Sequence, residues 1–106
     1  MSQTEVLRAI RKNKTFLVST HVNPDADALS SQLALTMFLK SLGKKVHAIN
    51  TDHMPERFMF LPGSHLVEKV DKNKKLNCDV AIAVDCGDLS RIDQVQDILK
   101  KDMLII

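Results

Sequence analysis

Val80-Ala81-Ile82-Ala83-Val84 constrains this chain more than any other stretch. A strand without polar alternation has both faces covered, the condition of an inner strand in a parallel sheet. Phe16-Leu17-Val18-Ser19-Thr20 reads as a second buried strand, and Val46 to Ile49 as a third. Between the first two in chain order, Asp27 to Leu42 has helical spacing. Its apolar positions Leu29, Leu33 and Met37, with Leu35, Phe38, Leu39 and Leu42, cover more than one helical face, and Gly43 supplies the stop. That breadth predicts a helix buried against a sheet. Ser2 and Glu5 have capping-box spacing ahead of a short amphipathic helix whose stripe is Val6, Leu7 and Ile10. A last helix, about Ile92 to Lys101, would turn Ile92, Val95, Ile98 and Leu99 inward, and Met103 to Ile106 reads as a fourth strand. Crossovers of this length predict right-handed parallel βαβ units, and hence a doubly wound, mainly parallel, Rossmann-like α/β sheet in a 2-1-3-4 arrangement.

The chain's 106 residues suit a single domain. Lys+Arg 15 against Asp+Glu 13 leave a formal charge of +2, too weak for a dedicated nucleic-acid binder. Its distribution is more informative. Positive charge collects in Arg8 to Lys14 and Lys69 to Lys75, while His21 to Ser31 and Asp85 to Asp93 are locally acidic. Cys78 and Cys86 have no C-x-x-C spacing, and no apolar run approaches the ~20 residues of a membrane span. Reduced thiols, a cytoplasmic location and no membrane partner are expected. Thr51 to Lys75 is the irregular part: Pro55, Pro62 and Gly63 punctuate Phe58-Met59-Phe60-Leu61, which reads as a helical turn.

The two acidic segments follow the first and third expected strands. In doubly wound sheets ligands bind there, beyond the carboxyl ends of strands at the switch point. His21, Asp25, Asp27 and Asp85 are therefore expected to converge. Taken singly, Asn23-Pro24-Asp25 is an ordinary turn, Asp27 an ordinary helix N-cap and Asp85 a strand-end aspartate. His47 reads as a packed strand residue, and His53 and His65 lie in loops. Together, three carboxylates and an imidazole in one crevice call for cations, because like charges repel when desolvated. Oxygen donors with one nitrogen favour Mn²⁺ over Mg²⁺, with Zn²⁺ and Fe²⁺ left open. Two metals about 3.5–4 Å apart would activate water and stabilise a leaving phosphate oxygen.

His21-Val22-Asn23-Pro24-Asp25-Ala26-Asp27-Ala28-Leu29-Ser30-Ser31 resembles the first motif of the DHH phosphoesterases, and Val84-Asp85-Cys86-Gly87-Asp88-Leu89-Ser90-Arg91 resembles the second. Pro55 to Gly63 resembles the branch of nanoRNases that also dephosphorylate 3′-phosphoadenosine 5′-phosphate. The resemblance implies a two-manganese site in which His21 and Asp25 hold one ion, Asp27 the other, and Asp85 bridges them. It also implies catalytic roles for Asp27 and Asp85, exonuclease action on short RNA or nucleotide substrates, and allows a homodimer. Arg91 and Arg57 are candidates to meet phosphate. Ala26 and Ser30 stand where the family often has glycine, which puts the loop geometry rather than the ligands in question.

The family's Asp-His-His motif and its second, substrate-gripping domain have no counterpart in these residues. Residues 1–106 are thus expected to be the N-terminal part of such an enzyme, inactive by itself. Two readings from other classes compete: a receiver-type signalling module phosphorylated on Asp85, and a nucleotide-binding domain without turnover.

Overall fold

The computed structural model describes residues 2–71, 73, 76–86, 89–99 and 104–105. Ser2 opens it as a helix cap, its Oγ accepting the Glu5 N–H at 3.2 Å. Helix α1 (Gln3–Lys12) follows, with Ala9 and Ile10 buried and Val6 packed against the same cluster. Leu7, expected in the buried stripe, is 55% exposed, so the stripe is narrower than the sequence suggested.

Five strands form one parallel sheet: β1 (Thr15–Thr20), β2 (Lys45–Asn50), β3 (Val67–Lys69), β4 (Val80–Val84) and β5 (Leu104–Ile105). Their order is β3-β2-β1-β4-β5. The expected arrangement holds, extended by one edge strand. That strand falls in a stretch read as irregular, and its three residues are too few to show a period. Of the expected last strand, Leu104 and Ile105 pair with β4, while Met103 and Ile106 lie outside the described residues.

The unbroken apolar runs are explained by two cores. Phe16, Val18, Val80 and Ile82 point to one face, with Ile10, Leu39 and Val46. Leu17 and Ala81 point to the other, with Ile49, Val70, Cys78, Ile92, Val95 and Ile98. Each of the two central strands therefore buries successive residues on opposite sides. Neither thiol is in a disulfide: Cys78 is buried and Cys86 half-buried.

Helix α2 (Ala26–Ser41) begins one residue before the expected start, and its N-cap is Asp25 rather than Asp27. Leu29, Leu33 and Leu39 are buried, whereas Met37, Phe38 and Leu42 remain exposed, so the sheet covers only part of the apolar surface. The expected last α-helix is a 3₁₀ segment, Leu89–Ile98, interrupted at Asp93 with φ 49°. Ile92, Val95 and Ile98 are nonetheless all buried. Asp93 breaks the segment between Ile92 and Val95, so no single helical period aligns the three. Lys100 and Lys101, expected to end this helix, lie outside the described residues.

At the amino end of the sheet, Asp79 clasps the central pair. Its Oδ2 accepts the N–H groups of Lys14 at 3.1 Å and Thr15 at 3.3 Å. These two main-chain donors hold the Asp79 carboxyl below its ordinary value. A depressed folded value means the contribution is present at neutral pH and is lost as pH falls through that value. Asp79→Asn should therefore lower the melting temperature at pH 7, with the two proteins converging only well below pH ~3.9. Against α2, Gly63 has φ +79°, and a Cβ there would lie 3.2 Å from Met37 Sδ. Gly63→Ala should cost about 1–2 kcal/mol in chemical denaturation, from the left-handed backbone alone.

Candidate metal centre at the carboxyl ends of β1 and β4

The register between the central strands ends with Thr20 opposite Val84. The next residues along each chain are His21 and Asp85. This is the switch point of the sheet: the chain passes from β1 to β2 and β3 on one side, then to β4 and β5 on the other. Asp85 leaves its strand with φ 55°, a left-handed conformation that aspartate tolerates better than most residues. Such strain is held where surrounding structure over-determines it, typically at functional sites.

His21 is set by its own loop. Its Nδ1 lies 2.8 Å from the Val22 carbonyl oxygen. A carbonyl only accepts, so Nδ1 carries the proton and Nε2 is directed elsewhere. Nε2 lies 3.7 Å from Asp85 Oδ2, beyond direct hydrogen-bond range. Asp25 adds the third donor. Its Oδ1 accepts the Ala28 N–H at 2.8 Å and so caps α2, at the end where the helix dipole favours negative charge. One ligand atom each from His21, Asp25 and Asp85 lies within 4.8 Å of the others. The histidine side chain is 13% exposed and that of Asp85 52%, which makes the imidazole a wall and the carboxylates a rim.

These donors fit a divalent cation. Ligands about 2.1 Å from one ion stand roughly 3–4 Å from each other, and the His21 to Asp85 separation falls in that range. The fixed tautomer is the arrangement seen in metal-ligating histidines, whose second nitrogen donates to a carbonyl or carboxylate. Two carboxylates brought this close repel each other, and a cation removes that penalty.

The loop carrying Asp25 is tied from two sides. Val22 N–H donates to the Arg91 carbonyl at 2.9 Å, and Asn23 N–H donates to Asp52 Oδ2 at 3.3 Å. Asn23 takes the left-handed conformation, with φ 50°. Ala26 does not, and begins the helix instead, so the glycine expected by resemblance at that position is not needed.

Not every expected residue joins the trio. Asp27, exposed on the first turn of α2, stands outside it. Arg57 is exposed over the Phe58 ring, 4.7 Å from its centroid. Arg91 meets the motif loop through its main-chain carbonyl. Gly87 and Asp88, the rest of the second motif, lie outside the described residues.

Sequence reasoning missed the polar residues behind the site. Asn50, 2% exposed, accepts on Oδ1 from Gln32 Nε2 at 2.9 Å and from the Thr20 N–H at 3.2 Å. Its Nδ2 donates to Gln32 Oε1 at 2.9 Å. Two signals pointed there: Gln32 and Thr36 interrupt the buried face of an apolar helix at i, i+4 spacing, and Asn50 follows four strand residues.

The family model for the DHH family, N-terminal domain, matches residues 15–106. A bifunctional oligoribonuclease and PAP phosphatase, NrnA, from Thermus thermophilus is 37% identical over 93 residues, which cover 83% of this chain and 26% of that protein. A crystal structure of an exopolyphosphatase-related protein from Bacteroides fragilis has the same fold, with TM-score 0.80 and 24% identity over 97% of this chain and 37% of that one. The chain thus spans well under half the length of either relative. With His21 and Asp25 of its first motif facing Asp85 of its second, and a family match from β1 onward, the chain belongs to the DHH family of phosphoesterases.

Proposed function

We propose that this chain supplies the first half of a two-metal centre in an enzyme that hydrolyses phosphoester bonds of short oligoribonucleotides or of 3′-phosphoadenosine 5′-phosphate. The observation that supports it most is the trio His21, Asp25 and Asp85, drawn together across the switch point in a chain of the DHH family. The substrate class follows the relative's name. A receiver-type module has no use for His21, and the family match favours the phosphoesterase over it.

In this reading His21 and Asp25 would hold one ion, Asp27 would contribute to a second, and Asp85 would serve both. Manganese suits this mixture of oxygen donors and one imidazole. Bound there, divalent cations supply a Lewis acid that activates water and neutralises phosphate charge. The protein's own part is preorganisation. The Val22 carbonyl aims the imidazole, the cap on α2 holds Asp25, and the left-handed backbone at Asp85 directs the chain out of β4, which reduces the ordering that binding requires. Arg91 and Arg57 are proposed to meet the substrate phosphate. The chain covers 26% of its relative, and we propose that the remaining ligands and the grip on the substrate lie in the other part of such an enzyme, acting as a cytoplasmic exonuclease.

Calorimetric titration with Mn²⁺ tests the centre. His21→Ala and Asp85→Asn should each weaken binding by at least the ~10–100-fold typical of losing even an outer partner of a metal site. Unchanged affinity in both would remove the metal reading. A second expectation concerns turnover: the 106-residue chain with Mn²⁺ should release neither mononucleotide nor phosphate above a metal-free control. Release would show that these residues are sufficient.

A further inference from the structure

Three buried polar side chains lie directly behind the metal trio without joining it: Thr20 at 1% exposure, Gln32 at 0% and Asn50 at 2%. They form one chain of hydrogen bonds across four elements. Gln32 on α2 exchanges two amide bonds with Asn50 on β2, each 2.9 Å. Asn50 Oδ1 then accepts the main-chain N–H of Thr20 on β1 at 3.2 Å. Thr20 Oγ1 donates to the Val84 carbonyl on β4 at 2.9 Å. Thr20 immediately precedes His21, and Val84 immediately precedes Asp85.

The backbone ladder explains why a side chain is needed. Pairing of β1 with β2 runs only to Val18 opposite Ala48, so beyond it the Thr20 N–H meets a side-chain amide in place of a main-chain carbonyl. Buried amides and hydroxyls add little net stability over well-packed apolar groups, but when fully satisfied they fix one geometry. Among the described residues, no buried side-chain nitrogen or oxygen lacks a partner.

We propose that Gln32, Asn50 and Thr20 are positioning residues for the metal centre, acting through the Thr20 to Val84 bond to set the separation of His21 from Asp85. This rests on the metal reading above and adds to it a part of the protein that touches neither ion nor substrate. Outer partners of metal ligands affect affinity because they remove the ordering that binding would otherwise require.

The test is Mn²⁺ affinity of the purified chain by calorimetry, with a thermal melt of every protein. Thr20→Val removes one hydroxyl at nearly constant shape, and Thr20→Ser restores it. Thr20→Val should bind Mn²⁺ about tenfold or more weakly while still melting cooperatively, and Thr20→Ser should recover most of the affinity. Gln32→Met, which empties the far end of the same chain, should weaken binding in the same direction, and the double variant should lose less than the two losses combined. A merely structural role predicts lowered melting temperatures with unchanged affinity of the folded protein, and that result overturns the proposal. Normal binding by the wild type with no change in either Thr20→Val or Gln32→Met overturns this inference alone. Absence of Mn²⁺ binding by the wild type overturns the metal reading and this inference with it.

Discussion

Everything at the functional end of this molecule depends on the parallel pairing of β1 with β4, from Phe16 opposite Val80 to Thr20 opposite Val84. The pair is secured at both ends by side chains. Asp79 accepts two main-chain N–H groups where β1 begins, and Thr20 donates to Val84 where both strands finish. Because side chains alternate along a strand, a slip of one residue would turn every core residue to the opposite face. The register that buries Phe16 and Val18 with Val80 and Ile82 is therefore the same register that brings His21 beside Asp85.

The site combines rigid and strained backbone. Two left-handed residues, Asn23 and Asp85, redirect the chain after β1 and β4, and the N-terminus of α2 receives a carboxylate where its dipole favours one. A carboxylate of the donor set can thus have a structural employment as well. Asp25 shows this most clearly, since a single side chain both caps the helix at 2.8 Å and joins the metal-competent trio.

Much of this was legible in the sequence because apolar continuity and chain order determine it. The unbroken Val80–Val84 run specified a strand covered on both faces, and placing acidic segments after two such strands specified the crevice. What was not legible depended on three dimensions. Asp27 and Asp25 look alike as helix caps in a sequence, and only backbone geometry selects Asp25. Val67–Lys69 becomes a strand because β2 offers it an edge, which its three residues do not announce. The Gln32 and Asn50 amides are far apart in sequence and their pairing has no local signature. The α-helix expected after β4 is absent because the left-handed backbone at Asp93 breaks the run in two, while the spacing of Ile92, Val95 and Ile98 suits either helix type.

The proposed divalent cation lies where β1 and β4 end. Paramagnetic broadening by Mn²⁺ in the ¹⁵N-labelled chain locates it most directly, because the effect falls steeply with distance from the ion. At substoichiometric Mn²⁺ the amide signals of residues 21–28 and 84–86 should disappear first, with those near Asp79 at the opposite end of the sheet persisting. Broadening centred elsewhere, or spread evenly over the acidic surface, would contradict the account.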